Sequence, residues 1–216
     1  MCGRYCIFEE KGALAKLFGL SNQVDFKPNY NAAPSHDLPI IVKDRIGLAK
    51  WGFVPSFGDP SDTKYPKPIN ARAESVFDKP MFKQSMQSRR CLVPANGYYE
   101  WLETTQGGKV PYLAARPDKS VFAFAGLWSK HNDLVTFCII CREAIGKLAD
   151  IHKRMPVIVP AQDREAWFSN DAGSWQRVLT QDHPYENFQP YEVSQDVNKV
   201  ANNREELIRP ADDFKA

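Results

Sequence analysis

Between Arg90 and Arg142 the chain runs through RCLVPANGYYEWLE, VPYLAAR, VFAFAGLWS and DLVTFCIICR, apolar segments rich in β-branched and aromatic residues and separated by turn sequences. Segments of this length and composition, spaced this closely, fold as neighbouring strands in a meander. A sheet is therefore expected at the centre, and the remaining chain must cover it. Upstream, Cys2 to Phe8 reads as a short strand, and LPIIVK and IGLAKWGFVP read as strands paired across Asp44 and Arg45. Residues 9–20, EEKGALAKLFGL, carry Leu14, Leu17 and Phe18 at helical spacing. MFKQSMQSRR and the stretch around QDREAWF read as further short helices, and FKPNYNAAPSHD reads as a loop.

Residues 56–80 contain four prolines, and so long a connection inside a compact domain is functional or disordered. No repeat, low-complexity tract or linker divides the chain. The expected architecture is α+β: one domain over residues 1–216, around a barrel-like, mixed and mostly antiparallel β-sheet with a few short helices.

A net charge of +2 is too mild to diagnose nucleic-acid binding, so basic residues serving an anionic partner would have to gather on one face. MCGRYCIFEEKG places two glutamates and a lysine ahead of any apolar run, unlike a secretory signal. Nothing approaches the roughly 20 apolar residues of a membrane span. A cytoplasmic location is expected, extending to the nucleus in a nucleated cell, with no membrane association. Five cysteines is an odd count that suits free thiols in a reducing compartment. Cys138 and Cys141 form a CxxC, but its apolar, β-branched setting reads as a buried strand, and no second CxxC completes a zinc site. No metal or cofactor is expected.

Cys2 directly follows the initiator methionine. With Met1 removed, it would carry a free α-amine and a thiol on adjacent carbons. The amine has a reference pKa of about 7.7–8.0 and is partly nucleophilic at neutral pH, and the thiolate is intrinsically more nucleophilic. Such a terminus supports two chemistries. In one, the thiol attacks an amide carbonyl with the amine as base. In the other, the amine condenses with an aldehyde and the thiol closes on the imine carbon to a five-membered thiazolidine.

Four further segments have the composition of site material. PINAR supplies Asn70 and Arg72, with Glu74 following. NGYYEW places Glu100 among aromatic residues, where desolvation would raise a carboxyl pKa into the range of acid–base work. IHKRMP combines His152 with Arg154, and YNAAP offers Asn31 on a loop. Each segment also has a bland explanation: Asn70 as a turn cap, Glu100 in a surface ion pair, His152 as a satisfied structural group.

Taken together, MCGRY, YNAAP, WGFVP, PINARAES, RRCLVPANGYYEW, DIHKRMPVIV and VSQDVNKVANN resemble, in order and approximate spacing, the SRAP family (SOS response-associated peptidases), proteins that shield abasic sites in single-stranded DNA. The resemblance implies removal of Met1, attack of Cys2 on the ring-opened aldehyde, and catalytic roles for Cys2, Asn70, Glu100 and His152. It also implies release of Met1 by the protein itself as a cysteine autopeptidase, and a weak strand-cleaving lyase side reaction. Arg4, Arg72 and Arg154 adjoin these residues in sequence, and their guanidinium forks match phosphate oxygens; ion pairing within the fold is the other role open to them. In WGFVPSF, Trp51 reads as core, while Pro55 or Phe57 could wedge against a base and favour single strands or single/double-strand junctions. Phe57 stands where family members often carry tryptophan, and Ser75 where they commonly carry threonine. The expected partner is abasic single-stranded DNA, with the protein a monomer, nucleoid-associated when engaged.

Two other classes stay open. An N-terminal-nucleophile amidohydrolase (a glutaminase) would share the MCG start, but Arg4 follows Gly3 and Asn96-Gly97 lacks a companion motif. A non-catalytic single-strand binder would leave Cys2 dispensable. Sequence-specific duplex recognition has no supporting motif.

Overall fold

A computed structural model describes residues 2–10, 12–63, 66–182 and 185–214. The first half comprises β1 (Tyr5–Ile7), α1 (Ala13–Phe18), β2 (Asn29–Ala32), β3 (Asp37–Val42), β4 (Arg45–Trp51), β5 (Asn70–Arg72) and α2 (Pro80–Ser88). Then come β6 (Arg90–Ala95), β7 (Gly97–Glu103), β8 (Lys109–Ala115), β9 (Phe122–His131), β10 (Leu134–Glu143), β11 (Arg154–Pro156), α3 (Arg164–Phe168), α4 (Ala172–Thr180) and β12 (Gln189–Glu192). Short 3-10 turns fill the C-terminal segment. No helix among the described residues is long and apolar enough to cross a membrane.

Two hairpins supply four of the ring sheet's strands. β9 and β10 are joined at Asn132, which takes the left-handed conformation the tight turn requires (φ 49°). They pair antiparallel from His131↔Leu134 to Gly126↔Ile139. β3 and β4 pair from Val42↔Arg45 across a turn with Lys43 at φ 55°. β10 also runs parallel to β4 and β5, and β6 lies between β3 and β9. The pairings β10–β4–β3–β6–β9–β10 therefore return on themselves, giving the mixed α+β fold its ring-like sheet. The ring interior is tight at β9, where a Cβ on Gly126 would lie 2.9 Å from both Cys91 Sγ and Val93 Cγ2.

The second sheet has the order β12-β8-β7-β1-β2. Strand alternation gives it two buried faces. Tyr5, Ile7, Tyr98 and Ala114 pack against the ring sheet. Cys6, Tyr99, Leu113 and Ala115 face the other way and are covered by Val193, Val197, Leu207 and Ile208 of the C-terminal segment. By the same parity Glu100 lies on the face of β7 that Tyr98 turns to the ring sheet, and the carboxyl is buried for that reason.

The central meander is split. RCLVPANGYYEWLE forms two strands in different sheets, because the chain turns at Asn96. Its side chain donates to Glu9 Oε1 (2.8 Å) and Lys119 O (3.0 Å) and accepts from Phe8 N (3.0 Å). Next to it, a Cβ on Gly97 would meet Leu113 Cδ1 at 2.8 Å. The expected helix over 9–20 is shorter, bounded by left-handed Gly12 and Gly19 (φ 82° and 63°).

FKPNYNAAPSHD is not simply a loop, since β2 forms within it and pairs with β1. Asn31, expected on that loop, is fully buried in β2. Its Nδ2 is shared among the carbonyls of Val197 (3.2 Å), Lys199 (3.0 Å) and Asn202 (2.9 Å), and its Oδ1 accepts from Arg4 Nη1 (2.7 Å). These bonds fasten the C-terminal segment over the outer face of the second sheet. Asn31→Ala should lower the urea-unfolding free energy by about 2–3 kcal/mol, the cost of leaving buried partners unsatisfied, with little change in m-value.

Candidate active site

Asn70 is carried by β5, whose parallel register on β10 sets Asn70 opposite Ile139 and Arg72 opposite Cys141. Ile69 anchors the approach: its carbonyl accepts from Ile139 N (3.0 Å) and from Trp51 Nε1 (2.9 Å). Alternation buries Ala71 and leaves Asn70 half-buried and Arg72 exposed. Cys2 lies just before β1, and β1 is held beside β7 by Tyr5↔Tyr98 and by Tyr99 N donating to Arg4 O at 2.9 Å.

The two sheets meet here. Asn70 Nδ2 donates to Cys2 O at 2.8 Å, tying the segment just ahead of β1 to β5 of the ring sheet. Cys2 is fully buried, and its Sγ has a long contact of 3.8 Å to Arg4 O. Burial, assisted by Cys141 and Glu100, pushes its thiol well above the ordinary range.

Glu100, only 7% exposed, has its carboxyl pushed up to about 7 by burial. Its Oε2 lies 4.0 Å from His152 Nδ1. The same ring nitrogen lies 3.0 Å from Arg154 N and 3.1 Å from Arg154 O, so it accepts from the one or donates to the other according to the tautomer. Burial lowers the His152 pKa, so the ring is neutral at physiological pH.

Glu100 and His152 border a cleft of about 900 Å³ that also includes Trp101, Lys109, Lys153 and Asn198. Asn70 and Arg72 border another of about 530 Å³, with Lys79 and Phe82 on its wall. Arg154 makes a bidentate pair with Glu74 (2.7 and 2.8 Å), which holds the Glu74 carboxyl below its usual range. It also donates to Cys141 O at 2.7 Å.

The structure thus brings Cys2, Asn70, Glu100 and His152 together and sets Arg72 and Arg154 beside them. Arg4 faces elsewhere, with Nη1 donating to Asn31 Oδ1 and to Val197 O (2.8 Å) and its guanidinium over the Trp101 ring. Pro55 is buried and its carbonyl accepts from His131 Nε2 (2.6 Å) and Gly58 N (2.8 Å). Phe57, on the same loop, is 64% exposed. Trp51 is core, as read from the sequence.

Cys141, read from the sequence as a buried strand residue rather than half of a metal-binding CxxC, has its Sγ 3.3 Å from Asn70 Oδ1. Lys109, Lys153 and Asn198 were not singled out; Asn198 sits in VSQDVNKVANN, where Trp101 Nε1 donates to its Oδ1 at 2.8 Å. The cysteines are free and buried, and no cluster of three or more His, Cys, Asp or Glu among the described residues is arranged to hold a metal.

A family model described as SOS response associated peptidase (SRAP) matches residues 1–200. The chain belongs to that family. Its relatives include the Bacillus subtilis abasic site processing protein YoqW, 34% identical over 96% of this chain and 99% of that protein. They also include the Rattus norvegicus abasic site processing protein HMCES, 28% identical over 97% of this chain and 72% of that protein. A crystal structure of a Bacteroides thetaiotaomicron protein shares the fold, with a TM-score of 0.86 at 24% identity over 96% of this chain and 99% of the other.

The raised Glu100 pKa has a thermodynamic consequence. Between its ordinary 4.5 and about 7 the folded state binds more protons than the unfolded one, so stability falls as pH rises through that window. By linkage the fall amounts to about 3 kcal/mol once the pH exceeds 7. Urea unfolding at pH 5 and pH 8 should show this loss, and Glu100→Gln should remove most of it, making the variant more stable than wild type at pH 8.

Proposed function

We propose that this chain captures abasic sites in single-stranded DNA as a covalent thiazolidine on Cys2. The observation that carries the reading is the meeting of Cys2, Asn70, Glu100 and His152 at the seam between the sheets, with Asn70 bonded to the Cys2 carbonyl. Met1 lies outside the described residues, and its removal, by autopeptidase action or otherwise, is part of the proposal.

The steps balance. The Cys2 α-amine adds to the C1′ aldehyde of the opened sugar, and the carbinolamine loses one water to give the imine. The thiol then adds to the imine carbon, its proton passes to nitrogen, and the ring closes with no further loss. A carboxyl with a pKa of about 7 is present in comparable amounts as acid and base at neutral pH, which suits Glu100 both to protonating the departing hydroxyl and to receiving the thiol proton. The Cys2 thiol, held protonated by burial, needs that base. His152, whose pKa burial lowers, can offer a ring N–H to a sugar hydroxyl or phosphate oxygen or accept a proton from one. Asn70 fixes the Cys2 main chain. If the imine lingers, β-elimination would give the weak lyase activity, and ring closure suppresses it.

Phosphates would be held by Arg72 and Lys79 on the wall of the smaller cleft and by Lys109 and Lys153 at the larger, where Glu103 and Asp150 also stand; Arg154 would reach a phosphate only by giving up its pair with Glu74. Phe57, exposed on a loop fastened at Pro55, would stack on a base near a junction. Arg4 and Asn31 serve this reading as scaffolding for the cleft margin. We further propose that the protein acts as a monomeric single domain, in the cytoplasm at the nucleoid or in a nucleus.

Protein demonstrably free of Met1, mixed with a single-stranded oligonucleotide bearing one abasic site, should give a band that survives denaturing electrophoresis. Cys2→Ala should give none. Glu100→Gln should slow capture on the order of 10²-fold and abolish the inflection near pH 7 in the rate profile. Arg72→Ala should raise the DNA concentration needed, and flatten its salt dependence, without lowering the saturating rate. Absence of an adduct from wild-type protein would overturn the reading.

A further inference from the structure

We infer that Cys141 is a positioning residue for the capture reaction, holding the Asn70 carboxamide in the one orientation that grips the Cys2 carbonyl; the inference rests on the function proposed above. A carboxamide has two nearly isosteric ends, one accepting and one donating. If Asn70 turned end for end, its oxygen would face the Cys2 carbonyl oxygen, and the tie between the sheets would become a repulsion.

Among the described residues the carboxamide makes two hydrogen bonds, Nδ2 to Cys2 O at 2.8 Å and Oδ1 from Cys141 Sγ at 3.3 Å. The thiol is therefore the donor that distinguishes the oxygen end. It is well suited to the task. Cys141 is fully buried in β10, and its carbonyl is occupied by Ala73 N (2.8 Å) and Arg154 Nη2 (2.7 Å), so its main chain is fixed. Burial, aided by the Glu100 charge, pushes its thiol up to about 12, which keeps the S–H on the sulfur throughout the working range of pH. Alanine and valine bracket cysteine in size and suit a buried strand position, but neither can donate.

The test is the series Cys141→Ala, Cys141→Val and Cys141→Ser, with the saturating capture rate and the DNA dissociation constant measured separately. Losing one oriented hydrogen bond should slow the saturating rate of the Ala and Val variants about tenfold while leaving DNA affinity unchanged. Ser restores a donor and should recover most of that loss. A role in packing alone predicts no recovery in the Ser variant, because a hydroxyl in an apolar strand is no better tolerated than alanine. Equal rates for wild type and Ala, or Ser as slow as Ala, would overturn the inference.

A second readout does not need the reaction. The side-chain ¹⁵N–¹H₂ resonances of Asn70, assigned by their loss in Asn70→Ala, should shift and broaden in Cys141→Ala and return towards wild type in Cys141→Ser. Unchanged resonances would refute the positioning role. If wild-type protein forms no adduct, the functional reading fails, and these resonances still decide whether Cys141 orients Asn70.

Discussion

The segment ahead of a domain's first strand is ordinarily frayed, and here Cys2 is instead buried and bonded to a distant strand. The bond from Asn70 Nδ2 to Cys2 O ties the segment just ahead of β1 to β5 of the ring sheet. Everything around it serves to keep that junction in place. β1 is flanked by β7 and β2, the Arg4 and Asn31 side chains fasten the C-terminal segment over the outer face, and β5 is held on β10 by Ile69. Neither sheet contains the site. It exists where the edges of the two approach.

The second constraint is electrostatic. The alternation that turns Tyr98 towards the core turns Glu100 the same way, and β7 cannot bury one without the other. An ionised carboxylate there is costly, so the group is poised between its two forms near neutrality, at the expense of the fold's stability. Polar residues on core-facing positions are expected where chemistry overrides stability. Cys2 is subject to the same burial, which holds its thiol protonated. The neighbouring Arg154–Glu74 pair illustrates the opposite solution, in which two charges compensate one another at the surface.

Much of this was legible in the sequence where the cause is local. The hairpins β3–β4 and β9–β10, helix α2 and the burial of Trp51 follow from patterns within a dozen residues. Failures came where a distant partner decides. Asn29–Ala32 looked like a loop because its polarity is satisfied by residues more than 160 positions away. RCLVPANGYYEWLE looked like one strand because the turn at Asn96 is stabilised by Glu9 and Lys119 rather than by its neighbours. α4 does carry a local signal that was passed over: Asp171 caps it by accepting from Ser174 N, and Trp175, Val178 and Leu179 are buried at helical spacing. The residues of the site were found through a family pattern, and only their geometry gives them roles. Cys141 could not be found that way, since in sequence it is one more apolar strand residue.

The central claim is that the chain's own first nitrogen and sulfur close on one sugar carbon. It is tested most directly by proteolytic digestion of the DNA adduct and mass spectrometry of the modified peptide. The account predicts modification on the fragment Cys2–Gly3–Arg4, with methionine absent and the abasic fragment added minus one water. Modification on a lysine, or on a fragment that retains Met1, would contradict it.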